Sequence, residues 1–173
     1  MRFIEENTEK QLIADLKELW TNSDTSRCVL LKFSQISFSK PDWLQIFYDE
    51  LRMYFEDDVD TVYRCHDNDI FITSHTFTQK KLDNFLTHLK HKLSSAPLHG
   101  LAVIFEVRVD WSRLRTICER KLENEAILRS KGQQKDKEKL EKVDKEKTIN
   151  TISRDLVKSL VSRRENRKQN VIM

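Results

Sequence analysis

Glycine and proline are nearly missing from this chain of 173 residues, which holds two of each. Glycine-rich phosphate loops of the Walker or Rossmann kind need several glycines so that the backbone can approach a phosphate. Gly100 and Gly132 stand alone, so those nucleotide-binding classes are excluded. Cysteine is also scarce. Cys28, Cys65 and Cys118 are too few and too scattered for a disulfide framework or a CxxC metal knuckle. No apolar run approaches the roughly 20 residues that cross a bilayer, and the N-terminal MRFIEENTEK is too polar for a signal peptide. A soluble protein of a reducing cytoplasm is the expectation.

Charge, by contrast, is abundant, at 34% of the residues. The net value of +3 hides an asymmetry. Residues 131–170 carry 13 Lys/Arg against 7 Asp/Glu, and the rest of the chain carries 18 against 21. A mildly acidic globular part therefore bears a basic extension. The length allows one ordinary domain plus that extension, with the boundary expected at 110/111.

The apolar spacing gives the order of elements. Leu12, Ile13, Leu16, Leu19 and Trp20 predict a helix over residues 6–20, with Thr8 as its N-cap. The run 27-RCVLLKFSQI-36 reads as a buried strand. Pro41 suits the first turn of a second helix, whose stripe is Trp43, Ile46, Phe47, Leu51 and Phe55. Two short alternating runs follow, DTVYRC and DIFITS, on either side of His66-Asp67-Asn68-Asp69. Leu82, Phe85, Leu86, Leu89 and Leu93 predict a third helix, and 101-LAVIFEVRVDW-111 a last strand. The order α-β-α-β-β-α-β contains a split βαβ. The expected fold is α+β and ferredoxin-like, an antiparallel sheet with helices on one face. A long C-terminal helical extension completes it.

His66-Asp67-Asn68-Asp69 is a candidate acid–base or metal cluster, and equally the polar tip of a hairpin. Adjacent strand residues point to opposite faces, which argues against Cys65 and His66 meeting as nucleophile and base. His88 and His91 are one turn apart, yet no carboxylate or cysteine pattern completes a metal set, so both are expected in solvent. His75 and His99 are isolated.

A helix, a strand, a polar turn and a strand in this order resemble the GGDEF domain of diguanylate cyclases. The family pattern D-x-x-x-R-x-G-G-D-E-F meets Asp60 and Arg64 here, with Ile70 at the Phe position and the resemblance spanning about residues 6–110. It implies the ferredoxin-like core and places the family's catalytic signature on His66-Asp67-Asn68-Asp69-Ile70. The departures imply lost chemistry. Side chains at His66 and Asp67 obstruct the approach that the signature glycines give a nucleotide. Asn68 replaces a metal-binding acid, and 30-LLKFSQIS-37 lacks the acid of the first strand. Asp60 stands at the Asp of the family's inhibitory R-x-x-D site, but Asp57 occupies its Arg position. The expectation is a degenerate domain that is not an enzyme and takes no cofactor or metal.

The extension carries the remaining signal. Residues 111–129 look helical through Leu114, Ile117, Cys118, Leu122 and Ile127, and 131–147 is almost wholly charged. Beyond it Ile149, Ile152, Leu156 and Leu160 line one helical face, with Arg154, Lys158, Arg163 and Arg164 supplying charge. These eight residues are the candidate partner-binding set, for a protein partner or a second copy. A solvated tail is the plainer alternative. Anionic membranes fit less well, because the face lacks Trp and Phe. Nucleic acid is possible, since an RRM shares the βαββαβ order. The RNP1 pattern is absent, however, and Tyr63, Phe71 and Phe105 are its isolated aromatic candidates.

Overall fold

The computed structural model describes residues 1–22, 25–55, 59–93 and 98–169. The side chains of His99 and, in the last helix, of residues 133–146, 148–150 and 161–169 lie outside this description. So do the expected roles of Asp57, Ile149, Arg163 and Arg164.

The chain is α+β. Its strands are β1 (Arg2–Ile4), β2 (Arg27–Leu31), β3 (Thr61–Arg64), β4 (Ile70–Ser74) and β5 (Ala102–Glu106). Its α-helices are α1 (Thr8–Asn22), α2 (Trp43–Tyr54), α3 (Gln79–Leu93) and α4 (Trp111–Gln169). Single 3₁₀ turns occur at Phe33–Gln35 and His99–Leu101. The strands form one mixed sheet in the order β1-β3-β4-β2-β5. β1 runs parallel to β3, pairing Phe3 with Val62, and the other neighbours are antiparallel. Three residues are too short to show a period-2 pattern, so β1 is absent from the sequence expectation.

Both faces of the sheet are covered, which corrects the expectation of helices on one face. Val29, Leu31, Val62, Ile70 and Ile72 pack with Phe47 and Leu51 of α2 and with Leu82, Phe85, Leu86, Leu89 and Leu93 of α3. On the opposite face Cys28, Leu30, Tyr63, Cys65, Phe71 and Phe105 pack with Leu12 and Leu16 of α1 and with Leu114 and Cys118 of α4. A strand whose alternate side chains are both buried reads as a continuous apolar run, and β2 (RCVLL) does so. The physical reason for the correction is that α1 and the start of α4 each bring an apolar row needing burial.

Two local boundaries differ from expectation. The second strand ends at Leu31, and the chain turns through Phe33–Gln35. Helix α1 begins at Thr8 itself. Asn7, at a left-handed φ of 49°, offers its carbonyl to the amide of Gln11, and the Thr8 hydroxyl turns back to the Ile4 carbonyl.

The chain divides into two compact units, Met1–Glu125 and Ala126–Met173. The globular unit thus extends past the boundary expected at 110/111, because Leu114 and Cys118 belong to its core. The second unit is helical through Gln169, and the side chains described in it are exposed. Among the described residues, no helix is long and apolar enough to cross a membrane.

Candidate functional site

The turn between β3 and β4 closes as a tight hairpin. The Cys65 amide donates to the Asp69 carbonyl at 2.9 Å, and the Asn68 amide to the Cys65 carbonyl at 3.0 Å. Asn68 takes a left-handed φ of 69°, a conformation that asparagine tolerates better than most residues. Its side-chain oxygen accepts from Arg64 Nη2 at 3.0 Å. Asp67 Oδ1 accepts the Asp69 amide two residues on, at 3.1 Å.

Around that turn lies a partly buried ionic network. Lys121 of α4 places its Nζ 2.6 Å from Oδ2 of both Asp67 and Asp69. The second oxygen of Asp69 accepts the Ser34 amide at 2.8 Å. On the other side Glu9, buried in the first turn of α1, receives both the His66 amide and His66 Nδ1 at 2.7 Å. A carboxylate only accepts, so Nδ1 carries the hydrogen and the ring is fixed in orientation. Burial opposes the charge of Lys121, but the hydrogen bonds it donates to Asp67 and Asp69 outweigh that and hold its pKa above the ordinary value. Every polar member of the cluster is paired, as a buried ionic group requires.

This geometry bears on the acid–base and metal possibilities. The Asp69 carboxylate is occupied by an ammonium and an amide, and the Asp67 carboxylate by the same ammonium and the turn. Neither is free to ligate a cation while Lys121 is in place. Cys65 is buried, and burial first and the Glu9 charge second push its thiol far up, away from a reactive thiolate. His66 serves Glu9 rather than Cys65. The cluster ties α1, the 3₁₀ turn, the hairpin and α4 together.

The other histidines fare differently. His88 is not merely solvated, since its Nε2 meets Glu50 Oε2 of α2 at 2.6 Å, and Lys92 binds the other oxygen of the same carboxylate. His91 is exposed. His75 lies 3.2 Å from the Ser26 hydroxyl and 3.5 Å from Asp60. The RRM-type candidates Tyr63, Phe71 and Phe105 are buried in the core that includes α1 and α4.

Of the eight candidate partner-binding residues, Ile152, Arg154, Leu156, Lys158 and Leu160 are described, and all five are exposed. Ile152, Leu156 and Leu160 follow one another at i, i+4 along α4, with Val157 beside them, each 55–60% exposed. At 3.6 residues per turn Arg154 and Lys158 fall on the opposite side. The sequence reading missed Lys121 and Glu9. Their signal was periodic, since Lys121 continues the buried row Leu114-Cys118 at i+7 and Glu9 opens the row of Leu12 and Leu16.

No family model, no curated protein and no solved structure matches the chain.

Proposed function

We propose that the chain is a non-catalytic interaction module of the signalling or scaffold kind, which binds a protein partner through its basic C-terminal arm. The reading takes the globular unit as a degenerate GGDEF-like domain. The four strands β3-β4-β2-β5 follow the order of a split βαβ, with β1 added at the edge, and this supports a ferredoxin-like core. The observation that carries the proposal is the position of Lys121. Its ammonium lies between the two carboxylates of the hairpin, where nucleotide chemistry of the GGDEF kind would need a divalent cation and free acids. The acids serve to hold the helix that leads into the arm.

The exposed row Ile152-Leu156-Leu160 supplies a binding face of the helix-in-groove type, read at i, i+4 and i+8. Arg154 and Lys158, on the opposite side of the helix, would stay outside such a groove. The test uses the full chain and a Leu156→Glu/Leu160→Glu variant. Both substitutions lie on exposed positions, so thermal unfolding of the globular unit stays unchanged while partner capture and any self-association are lost. Unaltered capture and unaltered oligomeric state in that variant overturn the docking reading. Incubation with GTP and Mg²⁺ or Mn²⁺ tests the other half. The expected result is no cyclic dinucleotide and no shift in melting temperature.

A further inference from the structure

We propose that the outer edge of β5, together with the basic face of α4 beside it, is a docking site for an acidic segment of a partner protein bound in extended form. It stands on the globular unit and does not rest on the stripe of the arm. β5 is the last strand of the sheet and pairs only with β2 among the described residues. An edge strand presents amides and carbonyls on its outer side, ready to pair with an added chain. Ala102, Val103 and Ile104 are half-buried there, without lysine or proline, and the strand ends at the exposed Glu106, whose amide and carbonyl are already held by Asp110.

The flanking surface selects the kind of chain. Val103 and Phe105 share the α4 side of the sheet, and the Arg113 guanidinium stands over the Phe105 ring at 5.4 Å. Arg113 and Arg120 are seven residues apart, two turns of α4, and line one shallow cleft with Val109, Thr116 and Ile117. No described carboxylate pairs with either guanidinium, whereas the adjacent Arg115 is held by Glu119 at 2.6 Å. The one acid in the cleft, Asp110, is turned to its own loop, where Oδ2 accepts the Glu106 amide at 2.9 Å. Val109, in the same cleft, is 79% exposed. The cleft is cationic although residues 1–125 hold 17 Lys/Arg against 21 Asp/Glu, so its charge is local and not the average of the domain.

A strand added to β5 sends alternate side chains to the α4 side. Acidic side chains there would meet Arg113 and Arg120, and apolar ones would meet Ile117 and Val109. Guanidinium groups form two-pronged hydrogen bonds to carboxylates, which gives such a contact direction as well as charge. A single-stranded nucleic acid suits the cleft less well, because none of its lining residues is aromatic and stacking would be missing.

The test uses the full chain and two labelled eight-residue peptides followed by fluorescence anisotropy. One carries glutamate and valine by turns at every second position with serine between them, so that both face α4, and the other has serine in place of the valines. The Glu-Val peptide is expected to bind, to lose about tenfold in affinity in Arg113→Ala/Arg120→Ala, and to bind about tenfold better than Glu-Ser. Binding should also slow hydrogen exchange at the outward amides of Ala102 and Ile104. Arg113→Lys/Arg120→Lys, which keeps the charge, separates loss of the two-pronged contact from any misfolding and should lie between wild type and the alanine variant. Equal binding of the two peptides, no binding of either, or no effect of the alanine variant overturns the proposal. It is equally overturned if oligouridine binding falls in the alanine variant while peptide binding does not. Concentration-dependent protection of Ala102 and Ile104 without peptide would assign the edge to a second copy of the chain, and the proposal would fail.

Discussion

Lys121 Nζ lies 2.6 Å from Asp69 Oδ2 although the two residues are 52 positions apart in the chain. The bond joins the root of α4 to the hairpin turn at a place where Asp69 is 7% and Lys121 10% exposed. Replacing one member leaves the other charge buried without its partner. Lys121→Met should therefore cost about 3–5 kcal/mol, measured as a fall in the urea midpoint at constant m. Lys121→Met combined with Asp69→Asn and Asp67→Asn removes all three charges, and should recover much of that loss. A triple variant no more stable than Lys121→Met would show that the network contributes little. The pH dependence has a defined sign. Lys121 is raised above its ordinary value of 10.5, so its contribution is complete below that pH and disappears as pH rises through the higher folded value. Wild type should lose stability in that alkaline range more steeply than Lys121→Met.

Glu9 makes the second anchor. One buried oxygen accepts two hydrogens of His66, from the amide and from Nδ1. Glu9→Ala removes the acceptor of the part-buried His66 amide and of Nδ1, with an expected cost of about 1 kcal/mol. Glu9→Gln keeps an acceptor oxygen and should cost less than Glu9→Ala. Equal losses in the two variants, read by chemical denaturation, would point to packing of the Glu9 stem rather than to its hydrogen bonds.

The core helices were legible because their burial is one-sided and repeats at 3.6 residues. All five apolar positions expected to be buried in α3 are so. Periodicity is silent on three other matters. It does not say how many helices share a sheet, so α1 and the start of α4 went uncounted as a second layer. It cannot register a strand as short as Arg2–Ile4, whose place depends on the partner β3. Nor does it show what a polar turn touches. His66-Asp67-Asn68-Asp69 looks the same in the sequence whether it faces water, a metal or Lys121, and only long-range pairing separates these cases. The buried row Leu114-Cys118-Lys121 was visible in the letters, but Lys121 sits among charged residues whose usual place is the solvent.

All three cysteines are buried in one half of the core. Burial, chiefly, pushes the Cys118 thiol up to about 12 and raises Cys28 and Cys65 as well. Native chain at pH 8 should therefore react with a thiol reagent such as dithionitrobenzoate only through unfolding, while denatured chain releases three equivalents at once. A thiol that reacts in the native chain at the denatured rate would contradict its assigned burial. The same shifts make alkali destabilising. The unfolded thiols ionise near 9.0, and the folded Cys118 thiol does so only near 12, so stability is present below pH 9 and declines across that interval.

Glu50 links α2 to α3, accepting from His88 Nε2 at 2.6 Å and from Lys92. Burial raises its pKa, but the hydrogen bonds from Lys92 and His88 prevail and lower it below 4.5. Its contribution is therefore present above that pH and is lost as pH falls through the lower folded value. Lys92 and His88 are each more than a third exposed, so the effect is that of a partly screened pair, about 1 kcal/mol. In Glu50→Gln the acid limb of the stability profile should flatten below pH 4.5, with a small loss at neutral pH. Lys92→Met should give part of the same flattening, because the carboxylate then keeps only His88. If the wild-type and Glu50→Gln acid limbs coincide, acid denaturation is set by other carboxylates, and the α2–α3 link carries no pH-dependent stability.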